Sequence, residues 1–212
     1  MATARLMSDR RKALALKLPD GDVGTDCTIM AMRAMAEHAA GMAVVQTLAE
    51  QIARSPTGEA FPEALYQWLA NNRRFKRDPR GLEHVRHPAL IVEAIDRAAT
   101  LRKQVGVDCD DVATLAVSLL LARFEALSKS EPRDAALIPR PCFVVLAKLP
   151  PPAPFAHVFY GTWRTAMAGS VPLHLPDGIA PSNSFTPWDP QEHKRVPMRQ
   201  MHKGTRFRVY PL

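Results

Sequence analysis

Apolar residues first recur at helical spacing between Asp26 and Ala53, at Ile29, Met32, Met35 and Ala36 and then at Met42, Val45, Leu48 and Ile52. Gly41 divides this stretch, so two helices are predicted. The SPTGEAFP segment breaks the pattern, and Glu63 to Asn71 predicts a third helix with Leu65, Trp68 and Leu69 inward. RRFKRDPRGLEHVRHP reads as polar and irregular, and Ala89 to Gln104 as helical again. In VDCDDVATLAVSLLLARFEAL, the residues Val112, Leu115, Ala116, Leu119 and Leu120 form one buried stripe. Three aspartates crowd the start of that helix, where negative charge complements the macrodipole and Asp108 can act as N-cap.

Beyond a polar connection the period changes. CFVVLAKL, HVFYGTW and TRFRVY are short and rich in β-branched or aromatic residues, which predicts strands. PPPAPF is a stiff loop, and VPLHL reads as a further strand carrying His174. Helices first and strands second is the order of an α+β domain. The expected organisation is a basic N-terminal arm over 1–25 followed by one domain over 26–212. Its helical part covers 26–130 and its sheet part 140–212.

Length and composition then narrow the classes. A chain of 212 residues with 47% hydrophobic content supports one domain with a sizeable core. No apolar run reaches the roughly 18 residues of a membrane span, so membrane insertion is not expected. The first residues lack the apolar centre of a secretion signal, which suggests a protein kept in, or packaged from, a cytoplasm. The net charge of +7 is concentrated at the two ends, from Arg5 to Lys17 and from Lys194 to Arg208. Without interleaved aromatics the basic ends read as solvated tails, and nucleic acid is not the expected partner.

Of the three cysteines, Cys27 and Cys142 read as structural, and Cys109 does not. A helix N-terminus favours a thiolate, a histidine can take the thiol proton, and a third polar group fixes the imidazole. The sequence offers these in order as Cys109, His157 and Asp189, in TPWDPQE. Asp108, Asp110 and Asp111 oppose a thiolate by their charge. As ligands for a divalent cation they lack the spacing of a helix–loop–helix calcium site. His84 and His87 read as loop histidines rather than zinc ligands shared with His157. Trp68, Trp163 and Trp188 are too widely spaced for a stacking platform and read as packing residues.

The run V-D-C-D-D-V-A-T-L-A-V-S-L-L resembles the nucleophile motif of the transglutaminase-like superfamily. The upstream R-R-F-K-R-D-P-R-G-L-E-H-V-R-H-P is similar to a segment preceding the cysteine in phage-encoded members. H-V-F and W-D-P-Q-E resemble the family's histidine strand and aspartate segment, and the pieces cover roughly residues 25 to 210 in order. The resemblance implies a papain-like arrangement, a nucleophile helix packed on an antiparallel sheet. Cys109 would be the nucleophile, His157 the base and later the acid, and Asp189 the orienting carboxylate. Asp177 and His174 stand as alternatives for the third position. Val107 replaces the glycine usual before the Asp-Cys pair, and the gap from His157 to Asp189 is longer than usual. The backbone N–H of Cys109 would be one oxyanion donor, and Gln104 or Phe75 marks where a second could lie.

The implied chemistry is cleavage or transfer at an amide bond in protein or peptidoglycan peptide, with no cofactor and no metal. The implied setting is a phage virion, in the tail or its assembly, made in the host cytoplasm. Other phage structural proteins would be partners. The alternative is a structural virion protein that uses the same fold without catalysis.

Overall fold

The structure, a computed structural model, describes residues 13–16, 21–54, 60–75, 83–100, 105–130, 140–148, 155, 157–163, 173–179, 185–190 and 205–212. Its elements in chain order are β1 (Ala13–Leu16), α1 (Asp22–Ala40), α2 (Ala43–Ala53), α3 (Phe61–Asn72), β2 (Arg73–Phe75), β3 (Glu83–Arg86), α4 (Pro88–Thr100), β4 (Val105–Val107), α5 (Cys109–Ser130), β5 (Arg140–Lys148), β6 (His157–Trp163), β7 (Thr186–Trp188) and β8 (Thr205–Pro211). The chain is thus a mixed helix and strand fold, with five helices and a small antiparallel sheet among the described residues.

Helix α5 is the axis of the core. The sequence pattern predicts one buried stripe, but every residue from Asp110 to Leu120 is buried. The other four helices and strands β5 and β6 all pack against it. Ala113, Ala116 and Ala122 let these neighbours approach closely, and the buried hydroxyls of Thr114 and Ser118 are satisfied within the helix. The hydroxyl of Thr114 donates to the carbonyl of Asp110 at 2.6 Å, and that of Ser118 to the carbonyl of Leu115 at 2.8 Å. Hydroxyls bonded back to the preceding turn can be buried without an unsatisfied donor.

The four-stranded sheet runs β7-β6-β5-β8, antiparallel throughout. Alternation along the strands separates two cores. Phe143, Val145, Val158, Tyr160, Trp188 and Tyr210 join the main core with α5. Cys142, Val144, Phe159, Trp163 and Val209 form a smaller cluster with Leu175. The chain passes so close over β6 that a Cβ on Gly161 would lie 2.6 Å from the Phe185 ring and 2.8 Å from Cys142 Sγ. Gly161→Ala therefore overpacks this cluster and should cost about 1–3 kcal/mol, read as a lower urea midpoint at an unchanged slope.

Several expectations are corrected. The segment assigned to an arm over 1–25 holds β1, which pairs antiparallel with β3, and the first four residues of α1. Helix α1 begins at Asp22 because Arg206 and Arg208 of β8 grip Asp22, and Arg208 and Tyr210 hold Asp26, a tertiary cause absent from local pattern. The stretch read as irregular contains β2, which pairs parallel with β4, and β3. The helix expected over Ala89 to Gln104 is present as α4 from Pro88 to Thr100, and residues 101–104 lie outside the described residues. The VPLHL segment is not a strand where it is described. Residues 173–179 form a bend and turn alongside β8, with Leu175 N–H on the Val209 carbonyl at 2.8 Å. Gly178, at φ 78°, completes that turn where a side chain would be strained.

Of the basic ends, Arg206 and Arg208 are described, and neither is a solvated tail residue. Arg208 donates to Asp177, Asp22 and Asp26, and Arg206 to Asp22 and Asp177. The ring of Phe155 lies beneath both guanidinium groups, at 4.5 and 5.0 Å. Arg5, Arg10, Arg11, Lys12, Lys17, Lys194, Arg195, Arg199 and Lys203 lie outside the described residues. No described helix is long and apolar enough to cross a membrane.

Candidate active site

Cys109 is the first residue of α5, half-buried, with a free thiol. Its backbone N–H is among those a helix N-terminus leaves without an intrahelical partner. The turn is closed by Asp108, whose Oδ1 accepts the N–H of Asp111 at 3.3 Å while its carbonyl accepts that of Val112 at 3.2 Å. Asp108 is therefore the N-cap that the sequence suggests.

His157 opens β6, and its Nε2 lies 2.7 Å from Oδ2 of Asp189, just past the end of β7. Asp189 is fully buried and His157 largely so. The Cys109 thiol lies near enough to the imidazole to favour its charged form. Burial alone would lower the imidazole pKa. The hydrogen bond with Asp189 and then the Cys109 thiol outweigh it and push His157 up to about 10. Both neighbours therefore favour the charged ring.

The acid is held in place by its neighbour. Trp188 donates its indole N–H to the Thr162 hydroxyl at 2.9 Å, and its ring stacks on Tyr160 with a 9° interplanar angle. Tyr66 of α3 closes the other side, with ring centroids 5.9 Å apart. Trp188 is consequently a packing residue, as expected. So are Trp163, which is buried, and Trp68, which is half-buried against the main core.

The alternatives for the third position are engaged elsewhere. Asp177 is bound by Arg206 and Arg208, and His174 Nδ1 lies 3.0 Å from the Leu175 carbonyl oxygen. His87 meets His38, with Nε2 3.0 Å from His38 Nδ1, so these two histidines bridge α1 and the start of α4. The side chains of His84 and Phe75 lie outside the described residues.

The three aspartates around Cys109 bring their carboxyl oxygens within 4.8 Å of one another. Their chemistry suits a hard cation, yet Asp108 caps the turn and Asp111 is taken by an arginine. Arg86 claims Asp111, through its backbone N–H to Oδ1 at 2.8 Å and its guanidinium to Oδ2. The same guanidinium donates to the Gly106 carbonyl at 2.7 Å. Burial pushes Asp111 up to about 7, reinforced by Asp108 and opposed by Arg86. With N–H donors on both its oxygens, the cradle fits the ionised form. Burial drives Asp110 up to about 11, followed by its hydrogen bond with Asp108. Oδ2 of Asp110 is buried without a hydrogen-bond partner, which favours a protonated carboxyl there. Burial thus disfavours charge on Asp110, and Asp111 is paired with Arg86, so both oppose a thiolate less than free carboxylates would.

Sequence reasoning missed Arg86. It sits among Arg73, Arg74, Arg77 and Arg80, and only the three-dimensional pairing with a residue 25 positions away sets it apart. Comparison with known proteins found no matching family model, no matching curated protein and no matching solved structure.

Proposed function

We propose that this chain is a thiol hydrolase of transglutaminase-like, papain-type architecture that cleaves amide bonds in protein or peptidoglycan peptide. The observation that carries the reading is that Cys109 opens a buried helix beside His157, whose Nε2 is hydrogen-bonded to the buried Asp189. Phage origin and a place in the virion tail or its assembly rest on the resemblance of the DCDD, HVF and WDPQE segments.

In this reading the Cys109 thiolate attacks the amide carbon, and the oxygen becomes an anion facing the Cys109 N–H. The His157 imidazolium gives its proton to the departing amine, leaving a thioester on Cys109. Water then attacks the thioester. His157, now neutral, takes a water proton, and collapse of the second oxyanion releases the acid and the thiolate. Asp189 keeps the ring oriented through both steps. Hydrolysis is preferred to crosslinking because no acyl-acceptor site is evident among the described residues.

Iodoacetamide labelling across pH tests the assignment, with the modified peptide identified by mass. Wild type should label at Cys109 below the free-thiol range near pH 8.5. His157→Ala should lose that low-pH reactivity, and Cys109→Ala should lose the label altogether. If native Cys109 labels only after unfolding, the thiol is core, and a purely structural virion role replaces the enzyme.

A further inference from the structure

The backbone around the thiol is gripped on both sides of Cys109. Arg86 holds the Gly106 carbonyl three residues before it and the Asp111 carboxylate two residues after it. The guanidinium thereby ties β3, the end of β4 and the first turn of α5 into one frame, and Asp111, its anchor, is completely buried. Within the frame, Asp108 closes the turn by accepting the Asp111 N–H. Little freedom remains for the peptide unit linking Asp108 to Cys109. That unit carries the N–H assigned above to the oxyanion.

We propose that Arg86 is a positioning residue that aims the Cys109 backbone N–H at the developing oxyanion. The inference rests on the thiol-hydrolase reading of the site and adds to it a residue that touches neither substrate nor sulfur. A guanidinium suits the task because its planar fork reaches a carboxylate and a carbonyl at once. A lysine ammonium is a single point of charge and cannot hold that geometry. The charged and titratable groups around the thiol are Asp108, Asp110, Asp111, Arg86, His157 and Asp189. Arg86→Lys leaves their formal charges unchanged.

Two reactions of the same sulfur separate aiming from mere stability. Alkylation by iodoacetamide needs the thiolate and builds no oxyanion. Acylation by p-nitrophenyl acetate needs the thiolate and also forms a tetrahedral oxyanion, where loss of one donor typically costs about 10²–10³-fold. In Arg86→Lys, alkylation of Cys109 should stay within about two-fold of wild type, and burst acylation should fall by at least about ten-fold. Should Arg86→Lys fail to fold, the pair replacement Arg86→Met with Asp111→Leu serves instead, since apolar substitution of a buried ion pair is often neutral for stability. It should show the same split. Equal losses in both reactions, or no loss in either, overturn the positioning role. The His157→Ala control keeps the two claims apart. If it leaves low-pH alkylation intact, the thiol-site reading fails, whatever Arg86 does.

Discussion

Asp189→Ala is expected to slow alkylation of Cys109 at pH 6–7 by about 10²-fold or more, within the range of a lost acid–base contribution. The 2.7 Å bond from His157 Nε2 to a fully buried carboxylate supplies the leading push on the imidazole against burial. Without it, desolvation prevails, the ring gives up its charge, and the sulfur loses its cationic partner. Asp189→Asn separates orientation from charge, because an amide oxygen can accept the Nε2 proton without a negative charge. Its rate should fall between those of wild type and the alanine variant.

Stability gives a second reading of the same pair. The folded pKa of His157, about 10, is raised above its ordinary 6.5. Its contribution is therefore fully present below pH 6.5 and is lost as pH rises through about 10. In urea unfolding, the gap between wild type and Asp189→Asn should be widest near pH 6 and nearly closed by pH 10. A gap that stays constant with pH would mean that Asp189 acts through packing alone.

Arg208→Met should cost roughly 3 kcal/mol and lower Tm by about 6–12 °C for a chain of this length. The Arg208 side chain is only 8% exposed and donates to Asp22, Asp26 and Asp177, which come from the first helix and from the turn beside β8. Removing it leaves three carboxylates near one another with Arg206 as the remaining cation of the cluster. The loss stays at the lower end of that for a broken buried pair because Asp22 and Asp177 remain partly in solvent. The hydrogen bond with Arg206 holds Asp22 below the usual carboxylate range. For Asp177, burial acts upward, and the bonds with Arg208 and Arg206 bring it down. Lowered carboxylates stabilise above their ordinary pKa of 3.8 and cease to do so as pH falls through the folded value. The deficit of Arg208→Met should therefore be full at pH 6 and shrink in acid, which thermal melts at both pH values would read. An undiminished deficit at low pH would assign the effect to the buried stem of the arginine.

What could be read from the sequence followed from how local each signal was. Helix α5 carries its own N-cap, acidic first turn and apolar run, and strands β5, β6 and β8 are β-branched enough to stand out. Cys109, His157 and Asp189 lie in short segments with recognisable neighbours, and the structure brings the three together. Strands β1 to β4 are three or four residues long, and the three-residue RRF of β2 has no apolar alternation. They exist because of partners distant in sequence, β3 on β1 and β2 beside β4. Arg86 and the Asp22–Arg208 contact belong to the same class: the residue type is visible, but the partner that gives it meaning is not.

The contact between α1 and β8 joins residues 186 positions apart. On the ribosome, growing at about 5–20 residues per second, the chain must wait roughly 10–40 s between making Asp22 and making Arg208. For that interval the first helix lacks the cations that fix its start, and β5, once made, lacks one of its two neighbouring strands until β8 follows. Synthesis order thus makes docking of α1 onto β8 a late event in folding.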